Sequence, residues 1–305
     1  MKIVFLGTPQ IALPSLEYLS KEFDVCAVVT QPDRPQGRGH KLTPPSVKVC
    51  AVSLGIDVFQ TQSIRKDVDL IKKLIDLEPD FFITVAFGQI LSQEVLDIPK
   101  YGTINLHASL LPEYRGANPI QRAIVDGKEK TGITTMLTCL ELDAGDILLQ
   151  EEIQITPNMK TLELSKIIAE KGGEILAKSI RGYCSGEIIP VPQKSEEATF
   201  ANKYTKEDEI LCFDMCAHDF HCRVCGLNRA IIMKDGAPIK ITKTTFVDCA
   251  QSGLCGEILN IDKKGIEIQT KKGIILIEKL QPPNKKEMNA FDWANGAKIH
   301  KGMKF

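Results

Sequence analysis

Two periods alternate along the first 180 residues. Short apolar runs at 2–6, 25–30, 56–59 and 80–86 end in turn-forming residues and predict buried strands. Between them, residues 11–19, 47–54 and 67–77 place apolar side chains at helical spacing, as at Leu13, Leu16 and Leu19 of the first. The alternation continues through strands at 102–107, 132–139 and 147–155, a helix at 120–126 and a last helix at 161–180. Strands that are apolar throughout, each followed by a helix, predict an α/β fold with a doubly wound, mostly parallel, Rossmann-like sheet. In such sheets ligands bind beyond the carboxyl ends of the strands.

The pattern changes after residue 181. Residues 182–206 hold few apolar positions and several Gly, Pro, Ser and Glu, and they read as a linker. A helix is expected over 206–227, then five short strands at 230–234, 239–247, 256–261, 266–269 and 274–280. Turn signals at Lys234-Asp235-Gly236 and Lys263-Lys264-Gly265 separate them. Five short strands suggest a small OB-like β-barrel. The expected organisation is therefore a catalytic domain at 1–181, a linker at 182–206 and a β-barrel domain at 207–305, and 305 residues suit two domains.

Composition narrows the classes. No apolar run approaches 18 residues, so no membrane span is expected. The opening is apolar over 3–6 only before Thr8-Pro9 and reads as a first strand rather than a signal peptide, which makes a cytoplasmic location the expectation. The ten cysteines are then expected to be reduced. Cys212, Cys216, Cys222 and Cys225 cluster with His218 and His221, and Cys222-x-x-Cys225 has zinc-ligand spacing. A second well-spaced pair is missing, so the preferred reading is an amphipathic helix with no metal. The formal charge of −1 excludes a chain that attracts nucleic acid as a whole. Residues 208–305, with 15 basic against 12 acidic side chains, carry a net of +3, which permits a nucleic-acid partner there.

Four segments carry candidate chemistry. Gly7-Thr8-Pro9-Gln10 has one glycine where a dinucleotide fingerprint needs three, and reads as a strand-to-helix turn. The loop 31–41 presents Arg34, Arg38 and Lys41, either to phosphates or simply to solvent. Phe87-Gly88-Gln89-Ile90-Leu91 follows a buried strand; it is either a plain turn or a place where a planar heterocycle meets the backbone at Gly88. The strongest candidate is the set Asn105, His107 and Asp143. Asn105 and His107 alternate onto one face of a strand end, and Asp143 ends another strand of the same domain. An amide to stabilise an oxyanion, an imidazole to exchange protons and a carboxylate to orient it are what acyl transfer requires.

The run Asn105-Leu-His107-Ala-Ser109-Leu110-Leu111-Pro112-Glu-Tyr-Arg115, with Gly132-Ile-Thr and Leu142-Asp143-Ala-Gly-Asp146, closely resembles the folate-dependent formyltransferases. Val4-Phe-Leu-Gly7-Thr-Pro9, Thr30-Gln-Pro-Asp-Arg34-Pro-Gln-Gly-Arg38-Gly and the added C-terminal domain resemble that family's tRNA-directed branch. The resemblance implies catalysis by Asn105, His107 and Asp143. It implies 10-formyltetrahydrofolate as co-substrate, without metal, and the amino group of methionyl initiator tRNA as acceptor, with no membrane and no obligate protein partner. Folate contacts are implied at Phe87, Gly88, Gln89, Ile90, Leu91, Ser109, Leu110, Leu111, Pro112 and Asp146, and tRNA contacts at Arg34, Arg38 and Lys41. An amino-sugar or nucleotide formyltransferase, or a formyl-folate hydrolase, would use the same three residues. The chain departs from the family at Gly226-Leu-Asn-Arg229-Ala-Ile, where Pro-Trp-Pro is usual; its one tryptophan is Trp293.

Overall fold

A computed structural model describes residues 1–37, 40–250 and 253–305. The chain forms two compact units that interleave along the sequence. Unit 1 is Met1–Gly116, Thr131–Gln154 and Leu164–Phe200; unit 2 is Ala117–Lys130, Ile155–Glu163 and Ala201–Phe305. Residues 182–200, read from composition as part of a linker, are a packed part of unit 1. Val191 and Ile147 exchange backbone hydrogen bonds of 2.8 and 2.9 Å, and Thr199 accepts from the Arg115 N–H at 2.8 Å. Their polarity reflects an exposed strap held by backbone bonds rather than a free tether.

In chain order, unit 1 contributes β1 (Lys2–Gly7), α1 (Leu13–Glu22), β2 (Asp24–Thr30), β3 (Arg34–Gln36), β4 (Lys41–Thr43), α2 (Ser46–Ser53), β5 (Asp57–Gln60), α3 (Val68–Asp76), β6 (Phe81–Val85), α4 (Gln93–Leu96) and β7 (Thr103–His107). Helix α5 (Pro119–Val125) belongs to unit 2; β8 (Lys130–Leu137), β9 (Ile147–Gln154) and α6 (Thr161–Ser185) follow. The sheet order is β5-β2-β1-β6-β7-β8-β9. The first five strands are parallel, and β8 runs antiparallel to β7. This is the doubly wound, mostly parallel sheet expected, with its order reversing between β1 and β6.

Strand β6 is buried along its whole length because both faces are covered. Phe82 packs with Val4, Leu6 and the α3 residues Leu70, Ile71 and Leu74. Helix α3 starts where the Asp67 carboxylate accepts from Leu70 N–H at 3.1 Å, an N-cap that satisfies one of the helix's unpaired donors. Helix α6 crosses close to β7 at Gly172: a Cβ there would come within 2.6 Å of both Leu106 Cδ2 and Ser15 Oγ. The long last helix thus rests directly behind the strand that ends in His107.

Unit 2 adds α7 (Ala217–Gly226), β10 (Ala230–Lys234), β11 (Ala237–Val247), β12 (Ile258–Asp262), β13 (Gly265–Gln269), β14 (Ile274–Gln281), β15 (Met288–Asn289) and α8 (Ala290–Gly296). The strands pair antiparallel in the order β10-β11-β14-β13-β12, with β15 against β14. Ile232, Ile239, Ile241, Ile266, Ile268 and Ile277 fill the core. The turn at Asp235-Gly236 has φ of +49° and +77°, the pattern of a two-residue hairpin. The helix expected over 206–227 is only α7. Upstream, Leu211, Phe213 and Met215 alternate toward the core, and Leu211 N–H donates to Ile231 at 2.7 Å, so the apolar spacing there is that of an extended chain. Cys216 caps α7, its sulfur accepting from Asp219 N–H, and Cys212 lies outside the helix. Among the described residues no helix is long and apolar enough to cross a membrane.

Candidate active site

Strand β7 delivers Asn105 and His107 to its carboxyl end, on one face because side chains alternate. Asn105 pairs across the sheet with Thr84 of β6, whose hydroxyl donates to Asn105 Oδ1 at 2.7 Å. With its carbonyl end committed to Thr84, the amide has its donor end left for a ligand.

His107 is buried, and its Nε2 lies 2.9 Å from the carbonyl of Tyr114. A carbonyl only accepts, so Nε2 carries a proton and donates to it. Nδ1 faces Asp143 Oδ2 at 3.7 Å. That same carboxylate oxygen accepts from Gly116 N–H at 2.8 Å. The imidazole is thus held between the Tyr114 carbonyl and the Asp143 carboxylate.

The loops carrying these groups are bent into left-handed backbone. Ala86, Tyr114 and Asp143 have φ of +48°, +61° and +50°, a conformation that costs non-glycine residues energy and clusters at functional sites. Gly145 has no alternative in its loop: a Cβ would lie 1.7 Å from the Leu137 carbonyl oxygen. Leu111–Pro112 is a cis peptide.

A family model for formyl transferase matches residues 1–180, and one for the formyl transferase C-terminal domain matches 203–298. The chain belongs to the formyl transferase family. Within the family it is 46% identical, over 99% of both chains, to the methionyl-tRNA formyltransferase of Clostridium perfringens. It is 41% identical to that of Macrococcus caseolyticus, over 100% of this chain and 98% of the relative. Among solved structures, the N-formyltransferase of Helicobacter canadensis, crystallised with folinic acid and dTDP-3-aminofucose, shares the fold with a TM-score of 0.68. It is 18% identical and covers 91% of this chain and 99% of its own.

The other expected contacts divide by exposure. Gly88 and Ile90 are exposed, whereas Phe87 and Leu91 are buried. Gln89 turns its amide inward, accepting from Ile64 N–H at 2.8 Å and donating to the Thr61 carbonyl at 2.9 Å, so it shapes the loop. Ser109 is fully buried; its hydroxyl donates to the Glu113 carbonyl at 2.6 Å, so it supports the 109–112 turn from within. In that turn Leu110 and Pro112 are half-buried and Leu111 is buried. Asp146 is half-buried and its carbonyl accepts from Leu137 N–H. Arg34 and Lys41 sit exposed on the two strands of the β3–β4 hairpin, which the sequence reading took for an irregular loop. Lys48 and Gln60 hold Asp33 at the hairpin's base, and their hydrogen bonds, Gln60 first, keep its carboxyl below the usual range. Arg38 lies outside the described residues.

Sequence reasoning missed the parts that hold the site. Thr84, Gln193 and Thr199 are far from it in sequence and carry no motif. It also missed a cavity of about 300 Å³ lined by Gln93, Leu96, Thr103, Thr138 and Leu140, at the base of the loop that ends in Asp143. Among the described residues, the buried hydroxyls of Thr103 and Thr138 have no hydrogen-bond partner.

In unit 2 the cysteines on α7 pack as apolar groups. Burial pushes the Cys222 thiol up to about 12 and Cys225 up to about 11, so both are protonated thiols at neutral pH. Cys222 Sγ lies 3.6 Å from His218 Nε2, and Cys225 Sγ 3.5 Å from His221 Nε2.

Proposed function

We propose that this chain transfers the formyl group of 10-formyltetrahydrofolate to the α-amino group of methionyl initiator tRNA, a reaction of the cytoplasm. The observation that carries the reading is the Asn105–His107–Asp143 arrangement, in a chain 46% identical over its length to a methionyl-tRNA formyltransferase.

The neutral acceptor amine attacks the formyl carbon, and the carbonyl electron pair moves to oxygen. The Asn105 amide and the Nδ1 edge of His107 donate to that oxyanion. Collapse of the tetrahedral intermediate restores the carbonyl and breaks the bond to N10 of the folate. The proton lost by the amine reaches N10 by way of His107, with Asp143 holding the imidazole in line. The products are formyl-methionyl-tRNA and tetrahydrofolate. One well-placed oxyanion donor contributes about 10²–10³ in rate.

The donor is expected along the exposed edge of 88–90 and against the 109–112 turn and Asp146. Arg34, Arg38 and Lys41 are expected to meet acceptor phosphates, with the basic surplus of residues 208–305 supplying further attraction.

The test supplies 10-formyltetrahydrofolate with methionyl initiator tRNA, a nucleotide-linked amino sugar, or water alone as acceptor. The reading expects formyl-methionine on the RNA and slow turnover with the other two. Formylation of the sugar, or tetrahydrofolate release that tRNA does not accelerate, would replace it with a small-molecule transferase or a hydrolase.

A further inference from the structure

We infer that Gln193 is a positioning residue for catalysis: its side-chain amide sets the loop that carries Asp143 and so fixes the imidazole of His107. The inference rests on the proposed roles of those two residues.

Gln193 uses its amide in both directions. Nε2 donates to the carbonyls of Asp143 at 2.9 Å and Gly145 at 2.8 Å. Oε1 accepts from Arg115 Nε at 3.0 Å and Nη2 at 2.9 Å. Arg115 is 2% exposed, and its remaining Nη1 reaches Glu141 at 3.3 Å on the same loop. One neutral side chain therefore ties the backbone of Asp143 to the residue between Tyr114 and Gly116. Those two neighbours are the ones that touch the site: the Tyr114 carbonyl binds His107 Nε2, and Gly116 N–H binds Asp143 Oδ2. Both partners of the imidazole are thus referred to a single clamp.

The chemistry of the clamp needs an amide. Asp143 occupies φ of +50°, a conformation its neighbours must impose. Two carbonyls on one side require two donors, and a buried guanidinium on the other requires an acceptor; among uncharged side chains only Gln and Asn offer two N–H donors and an acceptor together, and Gln has the longer reach. Gln193 arrives from the strap at 186–200, which Val191 pins to Ile147 and Thr199 pins to Tyr114 and Arg115.

Gln193→Glu separates positioning from folding. The carboxylate keeps Arg115 paired, and charge strengthens that bond. It also turns an acceptor oxygen on the Asp143 and Gly145 carbonyls, which pushes the loop away. A displacement near 1 Å costs about 100-fold in rate. The measurements are kcat and KM for methionyl-tRNA, thermal unfolding, and the ¹⁵N resonances of the His107 ring. The inference expects near-normal KM and unfolding temperature, kcat down about 100-fold, and displaced ring resonances. Unchanged kcat and unchanged resonances overturn it, as does a loss of activity wholly explained by unfolded protein. Should the Glu variant not fold, Gln193→Met keeps the length without donor or acceptor, and its folded fraction, counted by binding of 5-formyltetrahydrofolate, is read the same way. Wild-type protein run in parallel keeps the two claims apart. If it makes no product, the proposed function has failed, and the ring resonances still decide whether Gln193 positions His107.

Discussion

Replacing Thr84 by valine removes one oxygen and tests whether the amide of Asn105 is oriented for catalysis. Thr84 is 6% exposed, next to the carboxyl end of the buried strand β6. Valine keeps the β-branched shape that suits the strand. What disappears is the donor to Asn105 Oδ1 at 2.7 Å. A net hydrogen bond of this kind is worth about 1 kcal/mol, with a range of roughly 0.5–1.5. That energy separates the amide orientation that presents N–H to the oxyanion from the flipped one that presents oxygen. Its loss leaves the two orientations about equally populated, so the productive fraction falls from about 85% to about half and kcat by about twofold. Asn105→Ala removes the donor itself and costs about 10²–10³. The double variant should be no slower than Asn105→Ala alone, because without the amide there is nothing left to orient. The assay is single-turnover formylation at saturating donor and methionyl-tRNA, with thermal unfolding to confirm the fold. If the two losses multiply, or if Thr84→Val is as slow as Asn105→Ala, Thr84 acts by another route and the reasoning is wrong.

Two further outcomes follow from unit 2. His221 is buried with Nδ1 2.9 Å from the Thr244 hydroxyl and Nε2 3.0 Å from the Pro157 carbonyl, and burial chiefly holds its pKa below the usual 6.5. Nearby His218 acts in the same direction and Glu278 against it. The unfolded chain therefore takes up a proton as pH falls through about 6.5, before the folded chain does, so stability is full above that pH and declines below it. Unfolding of wild type and His221→Phe between pH 7.5 and 5.5 should show a smaller fall for the variant; parallel falls would reject the assignment. The raised thiols of Cys222 and Cys225 should resist iodoacetamide at pH 8 while exposed Cys139 and Cys212 react. Peptide mapping with time reads the order, and equal rates at Cys222 and Cys139 would contradict it.

The alternation of apolar strands and helices carried the sheet of unit 1 almost residue by residue, because a strand buried on both faces leaves an uninterrupted apolar run such as 81–85. Asn105 and His107 were legible for a second reason: they alternate at a strand end, where this kind of sheet places ligands. The supports were not legible. Gln193 reaches Arg115 across 78 positions, and a single polar residue in an exposed strap has no pattern that announces such a contact. The strap itself resembled a linker because backbone hydrogen bonds hold it, and those leave no trace in composition. The extended stretch before α7 was misread because Cys212 and Cys216 sit at a helical interval, while Leu211, Phe213 and Met215 carry the period that folding uses. The β3–β4 hairpin was hidden by its prolines and glycines, which suit an exposed hairpin as well as an irregular loop.

The most direct test of the account is the single-turnover rate of formyl-methionyl-tRNA formation by wild type and by His107→Ala. Binding of methionyl-tRNA and of 5-formyltetrahydrofolate is measured on the same preparations. The account predicts formylation by the wild type and a loss of about 10²–10⁴ in the variant with both ligands still bound. A variant that formylates at the wild-type rate would contradict it, because the imidazole would then take no part in moving the proton or holding the oxyanion.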